Sequence, residues 1–292
     1  MNANPHGGRR IELQQSGKQV LLDLSASINP FGPPEVLRRR WGELWSFVKD
    51  YPPLDFGFYQ ERIARIYGFS PSMIVPCNGA TQGIYLLSRV LPVKRVLILE
   101  PLFTEYARAF ALAGKEIFHL VLSPGCPFEE LVGTLKRECI DAVVLGNPSN
   151  PLGDTEGVEI YHRLREVPHF EALFVIVDEA FQEFLGEETS VSPYLPRDPR
   201  LYLVRSLTKY YALPGLRGGF LLADAANAAH LLPHLEPWSV NGVLAGALDM
   251  LSKEDLSTFH EFTRENLSRE KEFLEVNLKQ WAFLEYFPSR AN

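Results

Sequence analysis

Six short apolar runs, each closed by glycine, proline, asparagine or hydroxyl residues and separated by helix-like stretches, restrict this 292-residue chain to an alternating β/α architecture. The runs cover 96–99, 117–122, 142–145, 172–177, 201–204 and 218–223. Their near-continuous apolar character is that of strands buried on both faces, which predicts a mostly parallel central sheet flanked by helices. Helices are predicted from residue 35, over 56–67, from the small-residue turn near 80 to 90, and over 127–139, 156–166 and 225–234. Two more are predicted, one ending at 251 and a long charged one over 255–279. In such a sheet the carboxyl ends of the strands share one edge, and ligands bind there.

The richest of these ends follows the run 201–204 and reads Ser206-Leu-Thr-Lys209-Tyr-Tyr-Ala-Leu-Pro-Gly-Leu-Arg217-Gly-Gly219. A lysine in a loop beyond a buried strand can form an imine with an aldehyde cofactor. Ser206 and Arg217 can hold a phosphate, the arginine as a forked donor. The plainer alternative is a surface lysine in a turn.

Other strand ends carry their own candidates. Gly79-Ala80-Thr81 opens a helix whose free amides favour an anion, although the same residues also serve as an ordinary cap. Phe103, just past 96–99, can stack on a flat heterocycle or can simply pack in the core. Asn147-Pro-Ser-Asn150-Pro-Leu-Gly153 presents two amides in a rigid loop suited to hydrogen bonding with a ring oxygen. Asp178 ends the fully apolar run 172–177, where it can face a buried cationic nitrogen or cap a helix.

Composition excludes several classes. The net charge of −7 offers no electrostatic footprint for nucleic acid. No apolar run is long enough to cross a bilayer, and the three cysteines (Cys77, Cys126 and Cys139) lack paired spacing, which predicts a cytoplasmic protein. The seven histidines include no HExxH or Cys/His cluster, His162 and His169 read as surface residues, and no metal site is predicted. Residues 1–34, rich in glycine, proline and asparagine, form an extended arm that carries His6-Gly-Gly and ends at Asn29-Pro-Phe-Gly-Pro-Pro34. Arm and turn read equally as a tether. The final stretch 287–292 looks like the approach to a further strand.

The lysine loop, the N-P-x-N-P-x-G signature at 147–153 and Asp178-Glu-Ala-Phe181 together resemble the class I/II aminotransferase superfamily, fold type I of the pyridoxal phosphate enzymes. The resemblance covers nearly the whole chain. It points to the group that contains histidinol-phosphate aminotransferase and L-threonine-O-3-phosphate decarboxylase. His6-Gly-Gly, 27–34, 177–181 and Pro237-Trp-Ser-Val-Asn241 tilt it toward the decarboxylase side.

The resemblance implies a fold-type I α/β enzyme with pyridoxal 5'-phosphate as cofactor, acting as a homodimer on a small phosphorylated amino acid. Lys209 would form the imine, Asp178 would pair with the pyridinium nitrogen, Asn150 would bond the ring hydroxyl and Phe103 would stack on the ring. Ala80, Thr81, Ser206 and Arg217 would hold the cofactor phosphate. His6, Asn29 and Tyr51 would lie near the substrate, with Tyr51 reaching in from a second subunit. The implied domains are 1–45 (arm and part of a small domain), 46–252 (the large cofactor-binding domain) and 253–292 (a linking helix and the start of the small domain).

Two departures from the family pattern stand out. Phe181 occupies a position where many aminotransferases have tyrosine, which removes one hydrogen bond to the ring hydroxyl. The family also continues for some tens of residues beyond Asn292, so the expectation is a C-terminally incomplete small domain, without the arginine that holds a substrate carboxylate. The expected reaction is decarboxylation of O-phospho-L-threonine to aminopropanol phosphate. The alternatives are an aminotransferase of the histidinol-phosphate type and a protein that binds the cofactor without catalysis.

Overall fold

The computed structural model describes residues 7–121, 128–168 and 170–291. Seven strands form one sheet: β1 (Ile74–Asn78), β2 (Arg95–Glu100), β3 (Glu116–Val121), β4 (Ala142–Gly146), β5 (Phe174–Asp178), β6 (Leu201–Ser206) and β7 (Gly218–Leu222). Their spatial order is β1-β7-β6-β5-β4-β2-β3. Pairs among β2, β3, β4, β5 and β6 are parallel, and β7 runs antiparallel to both its neighbours.

Every residue of β5, β6 and β7 is buried, which explains why these strands read as continuous apolar runs. Alternate side chains serve the two faces. Leu97, Val143, Val175, Val177 and Leu203 enter one core layer, whereas Val96, Val144, Ile176, Val204 and Leu221 enter the other.

Helix Phe56–Tyr67 has the predicted bounds. Asp55 caps it by accepting from the Gly57 amide, and Gly68 ends it in the left-handed region at φ 78°. The helix expected from residue 35 is broken instead into Glu35–Arg39, a 3-10 turn Trp41–Trp45 and a single turn Ser46–Lys49. The long charged helix spans Ser257–Leu278.

Three expectations are corrected. The segment before the 80s helix had been read only as a turn, yet it contains β1. Proline inside a strand argues against a central position, and Pro76 sits on the edge strand, opposite Phe220 of β7, where no second partner needs its missing amide. Lys209 belongs to one helical turn, Leu207–Tyr210, capped by the Ser206 side chain, and not to an irregular loop. No strand follows the last helix among the described residues; instead the Arg290 amide donates to Gly153 O at 2.9 Å. Cys126 and His169 lie outside the described residues. His162 packs its ring edge-on against Tyr194 at 4.8 Å between centroids. No metal-holding group of three or more His, Cys, Asp or Glu occurs among the described residues, and none of the described helices is long and apolar enough to cross a membrane.

β7 passes so close to its neighbours that Gly219 has no room for a side chain. A Cβ there would lie 2.7 Å from the Gly79 carbonyl carbon and 2.9 Å from the Arg205 oxygen, both backbone atoms. Gly219→Ala is therefore expected to lower stability by about 1–3 kcal/mol. Urea denaturation of both proteins checks this, and an unchanged midpoint would contradict the packing.

Candidate active site

The carboxyl ends of β2, β4, β5 and β6 meet the start of helix Ala80–Val90 around one enclosed cavity of about 150 Å³. Ala80, Thr81, Phe103, Asn150, Asp178, Ser206, Lys209 and Arg217 all line it. The sequence drew these eight residues from five separate segments, and the largely parallel sheet brings them to one edge.

At one end the cavity is built for an anion. Helix Ala80–Val90 begins at Gly79 with no side-chain cap, so its first amides and the positive end of its dipole face the cavity. Ser206 and Thr208 hydroxyls bond each other at 2.7 Å beside it. Arg217, left-handed at φ 56°, brings its guanidinium against Gly79. A Cβ on Gly79 would stand 2.6 Å from Arg217 Nη2, and Gly79 itself has φ 80°, so both space and backbone angle require glycine.

At the other end lies Asp178, 7% exposed, accepting from the Ala180 amide at 2.9 Å. Burial raises its carboxyl to about 6, against the lowering effects of the Ala180 amide, the Tyr106 hydroxyl and the Lys209 charge. The fully buried Tyr106 hydroxyl beside it has its own pKa pushed upward, by burial first and by the Asp178 charge second.

Lys209 lies between these ends. Burial depresses its ammonium and Arg217 adds to the effect, while Asp178 opposes both. Its Nζ is 5.7 Å from the centroid of the Phe181 ring, which lines the same cavity. The donor set therefore offers an anion cradle, a buried carboxylate, a depressed lysine and the Asn150 amide, with Phe103 and Ala180 also in the lining. A flat, phosphorylated, cationic heterocycle with an aldehyde fits these groups.

A larger, open cleft of about 760 Å³ adjoins the cavity and shares Thr81, Phe103, Asn150, Phe181, Lys209 and Arg217 with it. Gly7 and 25–27 of the arm form part of its wall, as do Thr104, Glu105 and Arg108.

The remaining sequence candidates fall elsewhere. His6 lies outside the described residues, although its neighbour Gly7 lines the cleft. Asn29, 3% exposed, does not line either space; its Nδ2 donates to Tyr210 O at 2.9 Å and Thr263 Oγ1 at 3.3 Å, and its Oδ1 accepts from the Phe31 amide. Its own amide donates to Lys209 O at 3.0 Å, so it ties the arm to the lysine turn. Tyr51 is 80% exposed and packs on Trp238, 4.8 Å between centroids, away from the cavity. The two asparagines separate: Asn147 is fully buried and donates to Thr189 O at 2.7 Å, leaving only Asn150 in the cavity. Arg290, the last arginine in the sequence and so the nearest to the portion where the family's substrate-holding arginine is expected, reaches Thr155 Oγ1 at 3.3 Å and does not line the cleft.

Sequence reasoning missed Tyr106, Ala180 and Thr208. Tyr106 stands three residues after Phe103, one helical turn along Glu105–Leu112, which was the available signal.

Fold and site together define an α/β enzyme with a cofactor cavity at a sheet edge. The chain belongs to the aminotransferase class I and II family, which it matches over residues 19–292, and so to the fold-type I pyridoxal phosphate superfamily. Pyridoxal phosphate is its cofactor, and its activity is of the lyase or aminotransferase type. It is 32% identical over 275 residues to the threonine-phosphate decarboxylase of Salmonella typhimurium, covering 93% of this chain and 75% of that protein. It is 27% identical over 282 residues to histidinol-phosphate aminotransferase 2 of Archaeoglobus fulgidus, covering 93% of this chain and 77% of that one. The crystal structure of the histidinol-phosphate aminotransferase from Clostridium acetobutylicum superposes with a TM-score of 0.81 at 25% identity, over 93% of this chain and 81% of that chain.

The buried carboxylate gives a prediction with a definite sign. The folded-state pKa of Asp178 is raised from 3.8 to about 6, so Asp178 favours folding below 3.8 and this contribution is lost as pH rises to about 6. In cofactor-free protein, Asp178→Asn is expected to be more stable than wild type at pH 7, by up to about 3 kcal/mol, and to lose that advantage near pH 4. Denaturation at both pH values checks it; a variant less stable than wild type at pH 7 would contradict the burial argument.

Proposed function

We propose that this chain transfers the amino group of a small phosphate-bearing amine, in the manner of a histidinol-phosphate aminotransferase. The observation that carries the reading is the charge content of the open cleft. With Arg217 assigned to the cofactor phosphate and Lys209 to the cofactor aldehyde, Arg108 is the remaining cationic side chain among the described residues lining the cleft. Histidinol phosphate presents one anionic group, a phosphate, whereas O-phospho-L-threonine presents a phosphate and a carboxylate. Arg108 is shared with Glu105 of the same cleft, at 3.3 Å, and this single further guanidinium matches the first better.

Pyridoxal phosphate, when bound, supplies an electron sink for bonds at the substrate Cα. In the same reading Asp178 pairs with the pyridinium nitrogen, Asn150 bonds the ring hydroxyl, and Phe103 stacks on the ring. Ala80, Thr81, Ser206 and Arg217 hold the cofactor phosphate. Lys209, with its ammonium destabilised by burial, is suited to take the Cα proton and return it to a neighbouring carbon. His6 is assigned to the substrate, beside the part of the arm that lines the cleft, and Asn29 acts by holding the lysine turn. Tyr51 serves the site of a second copy: Trp41, Trp45, Tyr51 and Trp238 are each about half or more exposed, an aromatic surface suited to covering by a homodimer partner.

A second reading, decarboxylation of O-phospho-L-threonine, is favoured by the 32% identity to the Salmonella enzyme. The two differ in which Cα bond is set perpendicular to the cofactor ring, and their products tell them apart. Incubation with histidinol phosphate and a keto acid acceptor is expected to give the ketone product and an amino acid. Incubation with O-phospho-L-threonine is expected to release no carbon dioxide. Carbon dioxide and aminopropanol phosphate from the second incubation would overturn the first reading in favour of the second. Arg108→Ala is expected to raise KM for histidinol phosphate by about tenfold or more, the worth of one charge-assisted hydrogen bond, with a smaller effect on histidinol.

A further inference from the structure

Behind the cavity lies a second charged cluster that the chemistry above does not use. Arg205 is fully buried on β6, and three carboxylates converge on it. Its Nη2 stands 2.6 Å from Glu179 Oε2 and its Nε donates to the same oxygen at 2.8 Å. Nη1 donates to Glu187 Oε1 at 2.8 Å and to Glu183 Oε1 at 3.4 Å. Nη2 also donates to Glu187 Oε2 and to Ser190 Oγ, each at 3.0 Å. Glu179 is itself saturated, accepting from the Ser190 hydroxyl at 2.9 Å and the Val191 amide at 3.1 Å.

The place of this cluster in the sheet gives it significance. The parallel ladder between β5 and β6 ends at the pair Asp178↔Val204, with a last backbone bond from the Glu179 amide to Val204 O at 2.9 Å. Beyond that point the backbone of β6 pairs only with β7, through Arg205↔Phe220 and Ser206↔Gly219. The Arg205–Glu179 pair continues the tie between the strands where the ladder stops. Glu179 directly follows Asp178, and Arg205 directly precedes Ser206 and stands four residues before Lys209.

We infer that Arg205 and Glu179 are positioning residues, a side-chain clamp that sets the spacing between Asp178 on β5 and the Ser206–Lys209 turn on β6. A guanidinium is suited to this because its planar fork fixes direction as well as distance. The other charged or titratable groups facing the cluster are Tyr67, Tyr211 and Arg264, the last donating to Glu183 O at 3.0 Å. Burial raises the Glu183 carboxyl to about 7, and its Oε2 has no hydrogen-bond partner.

The inference rests on Asp178 and Lys209 being the cofactor residues, and the test uses the holoenzyme without substrate so that the nature of the reaction does not enter. The absorbance band of the bound cofactor is titrated against pH, and thermal stability is recorded in parallel. The wild-type band is the reference, so failure of the site assignment would be visible there before any variant is compared. Arg205→Lys keeps the charge and loses the fork; Glu179→Gln keeps the shape and loses one charge of the pair, and serves if the lysine variant does not fold. Glu187→Gln is the control, because Glu187 binds the same guanidinium from a half-exposed loop tied to neither Asp178 nor Lys209.

The midpoint of the band is expected to move by about half a unit or more in Arg205→Lys and Glu179→Gln. It is expected to stay in place in Glu187→Gln, whatever happens to the melting temperature. A wild-type midpoint in a folded Arg205→Lys or Glu179→Gln, or an equal displacement in Glu187→Gln, would overturn the clamp and leave the cluster a matter of stability alone.

Discussion

A buried carboxylate and a half-buried amine brought to the ends of two adjacent strands are the constraint on which this structure turns. Asp178 and Lys209 are each removed from most of their water, and each is partly compensated by the other. Neither charge is comfortable alone. Such a pair exists only if β5 and β6 are neighbours, parallel, and ended in the same register, and the sheet provides this through a ladder running from Val175↔Leu201 to Asp178↔Val204. The fully buried strands supply the apolar surroundings that make the electrostatics strong, and the loops at their ends supply the polar groups.

This division explains what could be read from the residues. Apolar runs of four to six residues with polar closures were legible because parallel strands buried on both faces leave no alternative pattern. Phe103, Asn150, Asp178, Ser206 and Lys209, all of which line the cavity, were legible because each follows such a run. β1 escaped notice because Pro76 argues against a strand, and only its place at the sheet edge permits it. Tyr106 and Thr208 escaped because their importance lies in what they face after folding, the Asp178 carboxylate and the Ser206 hydroxyl.

Asn147 and Asn29 illustrate the opposite difficulty. Their chemistry was read correctly as hydrogen bonding, but the direction of a side chain is decided by tertiary packing. Asn147 turns toward Thr189 and Asn29 toward Tyr210 and Thr263, so both organise backbone near the site without lining the cavity. A sequence gives the functional groups of an amide and not the way it points.

The reversal of β7 carries one more consequence. Because β7 returns antiparallel along β6, the lysine and the arginine of the anion cradle stand at the closed end of a single hairpin, Lys209 after one arm and Arg217 before the other. The connection between them acts as a ruler: its length sets how far apart the two cationic groups can be, whatever else moves around them. Substitutions in 210–216 can alter the surface of the hairpin tip, but the insertion or loss of a single residue would change the size of the molecule that fits between the two ends.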